Sequence, residues 1–271
     1  MLDRKKWKTR GRLPILLGME LRGKTILLTG ASGGIGLALS RQLAKQRVNL
    51  ALLARRENIL RQLADELKDS GSVILPVKCD VSKKDETARA CLEIQARFGQ
   101  VDIAIFNSGL SHREDVVDFR VDIARETFDV NVFGMLNFLG ELLPDFIRRK
   151  DGTIVGVSSL ADCRGLPKNR FYSASKAAAT ALLESLRVEL KEHGIKVITV
   201  KPGFVKTPMT ERALYPKPFL ITPEKAAAII IKGIRREKNL IQFPLPIVLG
   251  SKLLKAMPSF LYERIATRIK R

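Results

Sequence analysis

The sequence predicts an α/β fold, a Rossmann-like doubly wound parallel sheet of about seven strands with helices on both faces, in a single domain. Three observations lead there. Short β-rich apolar runs alternate with segments of helical spacing along most of the chain. Those runs are apolar almost throughout rather than alternating, as in strands covered on both faces. The first run leads straight into a glycine-rich turn that opens a helix.

Strands are expected at residues 24–29, 48–54, 72–79, 101–106, 153–158, 195–200 and 239–243. Helices are expected at 34–46, 57–68, 83–98, 122–138, 139–149, 173–192 and 223–237. Parallel neighbours need crossover connections, and the helices between the strands supply them. The 271 residues, 45% of them hydrophobic, suffice for one core. The organisation read from the chain is a basic extension at 1–21, the α/β domain at 22–245 and an apolar, basic tail at 246–271.

Composition narrows the function classes. Cys79, Cys91 and Cys163 form no CxxC pair, which argues against a disulfide framework and a zinc site. His112 and His193 are the only histidines, and their settings in a loop and at a helix end suggest no metal site. A reducing, cytoplasmic compartment is expected. The opening residues are basic, then apolar at 13–19, but Pro14 and Glu20 interrupt the run, so a retained extension is expected rather than a signal peptide. No uninterrupted apolar stretch approaches the roughly 18 residues of a spanning helix.

The formal net charge is +20, and residues 1–12 and 232–271 together carry +13 of it. Basic ends suit an anionic surface, either membrane or nucleic acid. No nucleic-acid motif or interleaving of basic and aromatic residues accompanies them, so nucleic acid is not an expected partner.

The glycine turn reads Thr29-Gly30-Ala31-Ser32-Gly33-Gly34-Ile35-Gly36. Glycines let the backbone approach a pyrophosphate, and the helix start offers free N–H groups. Such a turn is also found as a plain strand–helix connection; its place after the first strand of a βαβ series favours nucleotide binding. The second strand ends in Arg55-Arg56, with no Asp or Glu between Val48 and Arg56. An acidic residue there would suit the ribose hydroxyls of NAD, whereas Arg55 would attract the 2′-phosphate of NADP. NADP(H) is therefore the expected cofactor.

With these features the chain resembles the short-chain dehydrogenase/reductase family over about residues 22–245. The family's TGxxxGIG motif stands at 29–36, which brings Gly30, Ser32, Gly34, Ile35 and Gly36 to the cofactor. Its adenine-side Asp matches Asp80, and its NNAG segment matches Phe106-Asn107-Ser108-Gly109, with Asn107 and Gly109 retained. Its Asn matches Asn131, its Ser matches Ser159, and YxxxK stands as Tyr172 to Lys176. The PG segment matches Pro202-Gly203, with Thr207 at the nicotinamide-amide position. The resemblance implies a catalytic set of Asn131, Ser159, Tyr172 and Lys176, with Tyr172 and Lys176 also touching the cofactor. It also implies a homo-oligomer.

Tyr172 and Lys176 are four apart, so a helix puts them on one face. A phenol ordinarily titrates near ~10, and a neighbouring ammonium favours its anion. Tyr172 can then protonate a carbonyl oxygen or deprotonate an alcohol. By resemblance Ser159 holds the substrate oxygen; it could instead cap a turn, and Ser158 competes for the role. Asn131 lies in an apolar stretch, either as a satisfied structural amide or, by resemblance, as the holder of a water that relays protons to Lys176.

The reaction expected is carbonyl–alcohol interconversion with a small molecule. Residues 160–171 and 204–221 are the candidate substrate loops, and the second, with Met209, Leu214, Tyr215, Phe219 and Leu220, reads as an apolar lid. That points to a lipophilic ketone: a 3-oxoacyl chain, a 3-keto sphingoid base or a steroid-like compound. The other reading is a catalytically silent NADP-binding sensor or scaffold; the intact Ser–Tyr–Lys set with Asn131 argues against it. The tail mixes Leu253, Leu254, Met257, Phe260, Leu261 and Ile265 with Lys252, Lys255 and Arg264. It reads equally as a segment peripheral to an anionic bilayer or as an arm packed on the body or a second subunit.

Overall fold

The computed structural model describes residues 18–112, 115–211 and 216–269. The basic segment up to residue 17, the lid residues Leu214 and Tyr215, and the last two residues lie outside them. All seven expected strands form: β1 (Thr25–Thr29), β2 (Asn49–Ala54), β3 (Val73–Lys78), β4 (Ile103–Phe106), β5 (Gly152–Val157), β6 (Ile195–Pro202) and β7 (Leu240–Phe243). They make one parallel sheet in the order β3-β2-β1-β4-β5-β6-β7. The order reverses between β1 and β4, which opens a crevice at the carboxyl ends of the strands.

The helices between strands are α1 (Gly34–Ala44), α2 (Glu57–Leu67), α3 (Lys84–Phe98), α4 (Val121–Phe128), α5 (Gly134–Arg149), α6 (Arg170–Glu189), α7 (Pro208–Glu211) and α8 (Pro223–Arg235). Leu39 and Leu43 of α1, Leu60 and Leu63 of α2, and Ile230 and Ile234 of α8 share a core on one face of the sheet. Ile94 of α3, Phe138 and Phe146 of α5, and Leu183 of α6 build the core on the other. The continuous apolar strand runs are explained by this burial on both sides.

Two expectations need correction. The break anticipated between 138 and 139 does not occur: α4 and α5 are joined through a π turn at Asp129–Phe133, and the helical run continues past Phe138, Leu139 and Leu142 in a single buried row. The run Val121–Arg149 has the length and mean hydropathy of a membrane span, yet its apolar face is spent on the core. The helix expected at 173–192 starts earlier, at Arg170, and stops at Glu189, after which the chain turns through Gly194 at φ 72°. The tail is two helices, α9 (Leu245–Ala256) and α10 (Ser259–Ile269).

Candidate active site

The expected cofactor residues follow the carboxyl ends of successive strands: Gly30 after β1, Arg55 after β2, Asp80 after β3, Asn107 after β4 and Gly203 in the turn after β6. The glycine turn is tight. A Cβ at Gly36 would lie 2.0 Å from the Gly30 carbonyl oxygen, so only glycine allows α1 to start so close to β1. Gly34 sits at φ 53°, and a Cβ there would lie 3.0 Å from Thr207 Cγ2, which brings the loop after β6 against the same turn. Ser32, Ile35 and Gly33 are partly open around it.

The start of α1 has no side-chain cap and no acidic residue in its first turn. Its leading N–H groups therefore keep their capacity for an anion. Arg56 adds positive charge: its guanidinium donates to the Ser32 carbonyl and hydroxyl at 3.0 Å each. Arg55 is exposed beside it. The dipeptide was legible, but the guanidinium that turns to the glycine loop is Arg56, a residue missing from the expected set. This cradle of free amides and arginine fits the pyrophosphate and ribose end of a nicotinamide dinucleotide.

Thr29 fastens β1 to β4. Its hydroxyl accepts from the Asn107 and Ser108 amides at 3.0 and 3.1 Å, and Asn107 Nδ2 reaches back to the Thr29 and Gly30 carbonyls at 3.3 Å. Asn107 thus acts on the glycine turn itself. Asp80 is turned inward on its own loop, with Oδ1 accepting from the Ser82 amide and hydroxyl. Thr207 caps the short α7 by accepting from the Thr210 amide at 3.3 Å. The Gly203 amide donates to the Phe243 carbonyl at 2.7 Å, which pins Pro202 and Gly203 to the end of β7.

The chemical end is assembled from α6, the end of β5 and the π turn. Tyr172 and Lys176 share a face of α6, with the ammonium 5.7 Å from the centre of the phenol ring. Lys176 Nζ donates to the Val157 carbonyl at 2.9 Å. Its side chain is buried, and burial brings its pKa down to about 8. A Cβ at Gly109 would lie 3.5 Å from Lys176 Nζ and 3.6 Å from Asn131 Oδ1, so the loop after β4 arches over both.

Ser158 and Ser159 separate cleanly. Ser158 Oγ lies 2.9 Å from the Lys176 carbonyl and 2.7 Å from Thr180 Oγ1, beneath the site. Ser159 Oγ accepts from the Ala161 amide at 3.1 Å, capping a 3₁₀ turn at Leu160–Cys163. The cap uses a lone pair and leaves the Ser159 proton for another acceptor. The cap is the reading seen here, and it leaves the hydroxyl proton available.

Asn131 is different. Nδ2 donates to the Leu110 carbonyl and to Ser175 Oγ at 2.9 Å each, and Oδ1 accepts from the Leu110 amide at 2.7 Å. The amide is satisfied within the protein, which matches the structural alternative. It holds the Gly109–Leu110 backbone above Lys176, so its side chain is a positioning group.

His112 pairs with Glu126 Oε2 at 2.9 Å on the surface. Burial pushes the Cys79 and Cys91 thiols up to about 12, far from reactive thiolates. No metal-binding cluster occurs among the described residues.

The fold, the glycine cradle and the Tyr–Lys pair beside a strand-end serine define a dinucleotide-dependent oxidoreductase. The model of the short chain dehydrogenase family matches residues 24–216, and the chain belongs to that family. An uncharacterized oxidoreductase of Myxococcus xanthus is 36% identical over 251 residues, covering 93% of this chain and 99% of its own. Oxidoreductase UcpA of Salmonella typhimurium is 38% identical over 193 residues, 71% of this chain and 73% of its own. Among solved structures, a short-chain dehydrogenase/reductase of Burkholderia phymatum in complex with NAD superposes with a TM-score of 0.80 at 22% identity, covering 87% of this chain and 94% of its own. A short-chain dehydrogenase of Sphingobium yanoikuyae in complex with NADPH gives 0.76 at 23%, covering 87% and 97%. The protein is thus an oxidoreductase of this family.

Proposed function

We propose that the protein is an NADP(H)-dependent reductase that interconverts a lipophilic ketone and its secondary alcohol. The observation that carries the cofactor choice is the pair Arg55 and Arg56 at the end of β2, with the Arg56 guanidinium on Ser32 and no carboxylate between Val48 and Arg56. Two guanidinium groups there suit a 2′-phosphate. When bound, the nicotinamide supplies hydride to the carbonyl carbon, or accepts it in reverse.

The chain's own residues handle the oxygen. Ser159 donates its free proton to the carbonyl oxygen and orients it. Tyr172 Oη delivers a proton to that oxygen as it gains negative charge. The buried Lys176 ammonium favours the phenolate left behind, because opposite charges interact strongly away from water. Asn131 and Val157 hold the surroundings of that ammonium fixed.

The lipophilic substrate is supported by the loops that follow the strand ends. Val116, Val117 and Phe119 after β4 are exposed, as are Met209, Phe219 and Leu220 after β6. Large apolar side chains left in water near a crevice suit an apolar ligand. Tyr172→Phe is expected to lower carbonyl reduction by about 100- to 10,000-fold while NADPH still binds. Full reduction by that variant overturns the mechanism. An NADPH-consumption screen over long-chain 3-oxoacyl, 3-keto sphingoid, steroid and short aldehyde substrates tests the substrate class; preference for the short aldehydes overturns it.

A further inference from the structure

α9 and α10 are tied to the body by one side. Val248 and Ser251 of α9 are buried, and Ile247 lies against Gly203. Arg164, in the loop between Ser159 and Tyr172, donates from Nε to the Leu254 carbonyl at 3.0 Å and also reaches the Met257 carbonyl. Its guanidinium stacks over the Tyr262 ring at 5.1 Å, and Tyr262 Oη donates to the Gly165 carbonyl at 2.6 Å. Of the two readings of the tail left open by the sequence, packing on the body describes this side.

The opposite side of α9 inverts the usual pattern. Leu245, Leu249 and Leu253 are 68%, 58% and 68% exposed and recur every fourth residue, one above another. Pro246, Gly250 and Ala256 fill the same outward arc, and Lys252 borders it. A surface helix of a globular protein normally turns polar residues outward. α10 adds Phe260, 75% exposed. Residues 238–262 contain no Asp or Glu, while Lys252 and Lys255 supply positive charge beside the leucines. Large apolar side chains with basic residues alongside are the chemistry of a helix lying in the headgroup region of an anionic bilayer.

We propose that the outward face of α9, continued by Phe260 of α10, docks on an anionic lipid surface. Leu245, Leu249 and Leu253 enter the boundary between headgroups and acyl chains, and Lys252 and Lys255 meet the lipid phosphates. Charge decides against the other occupants. An isologous contact with a second copy sets Lys252 and Lys255 against the same set, between chains that each carry +20. The N-terminal segment of the chain, with six Lys/Arg in residues 1–12, bears the same sign. Because Arg164 joins the docking helices to the substrate loop, docking also holds that loop close to the bilayer; this last consequence, unlike the docking, rests on the lipophilic substrate proposed above.

The test is flotation of the full chain with vesicles of phosphatidylcholine containing about a third phosphatidylserine, without substrate. Wild-type protein is expected to float with them, less so at high salt and less with phosphatidylcholine alone. The double variant Leu249→Asp/Leu253→Asp is expected to lose binding by at least about tenfold, with circular dichroism and NADPH affinity unchanged. Lys252→Glu/Lys255→Glu is expected to weaken it selectively on anionic vesicles. Equal flotation of wild type and the leucine variant assigns recruitment to the basic ends alone and overturns the proposal. So does a wild-type self-association, seen by sedimentation, that the leucine variant abolishes in a protein that ignores vesicles. None of these results depends on turnover, so a failed substrate screen and a failed docking are read separately.

Discussion

Replacing Lys176 by methionine should stabilise the protein while destroying its activity. The side chain is 3% exposed and gives up solvent for one hydrogen bond, to the Val157 carbonyl. Burial takes its pKa from 10.5 to about 8, equivalent to about 3 kcal/mol against the charged form. Between those values the unfolded chain holds a proton that the folded chain has released, so stability rises as the pH goes up through this window. Below a pH of about 8 the full burden is present. Methionine fills the stem's space without the charge, and the unpaired Val157 carbonyl takes back about 1 kcal/mol. The net gain expected near pH 7 is about 2 kcal/mol; it vanishes near about pH 10 and turns into a loss of about 1 kcal/mol above about pH 10.5, where only the missing hydrogen bond counts. Urea denaturation of both proteins without cofactor, at about pH 7 and at about pH 10, measures it. A variant less stable than wild type at neutral pH, or a difference that does not change with pH, refutes the reasoning.

Two further outcomes follow from charges at opposite ends of the site. Arg55→Ala and Arg56→Ala are each expected to raise KM for NADPH by about tenfold or more and to leave KM for NADH nearly unchanged, since a charge-assisted contact is worth about 1.5–3 kcal/mol; an equal change for both cofactors sinks the 2′-phosphate assignment. Lys201→Met is expected to destabilise by about 3–5 kcal/mol, seen as a fall in Tm of roughly 10 °C, because Lys201 Nζ pairs at 2.7 Å with Asp162, whose side chain is 3% exposed. Asp162→Leu added to it should recover much of the loss, and a single variant within about 1 kcal/mol of wild type contradicts the burial argument.

Much of the fold was written locally. Strand runs in the sequence agree with the strands to within a residue or two, because burial on both faces demands uninterrupted apolar residues in each. Tyr172 and Lys176 were legible because one helical turn fixes their relation. What escaped depended on distant partners. Asn131 is clamped by Leu110, 21 residues away, and by Ser175, 44 away, so no local pattern distinguishes a structural amide from a water holder. The π turn at Asp129–Phe133 changes the backbone's ring closure without a residue signature, and it hid the continuity of α4 and α5. The arginine pair was visible, yet the rotation that brings Arg56 to Ser32 belongs to the start of α2. For the tail, composition gave amphipathicity, but only packing shows that Val248 and Ser251 face the body and the leucines do not.

The same division explains why the reaction class is easier to read than the substrate. Lys176 is held charged in a place that disfavours it by strand-end and helix atoms: the Val157 carbonyl on Nζ, Ser158 beneath its own carbonyl, and Asp162 bridged by Thr180 and Lys201. Rigid elements keep an unfavourable arrangement in place only if many bonds agree on it, and those bonds constrain residue types at fixed spacings. The loops proposed to surround the substrate, residues 115–120 and 216–220, are largely exposed. Such loops can exchange side chains without disturbing the proton donor. On the proposed function, substitution at the exposed Phe119, Met209 and Phe219 is expected to alter substrate binding and to spare Tyr172.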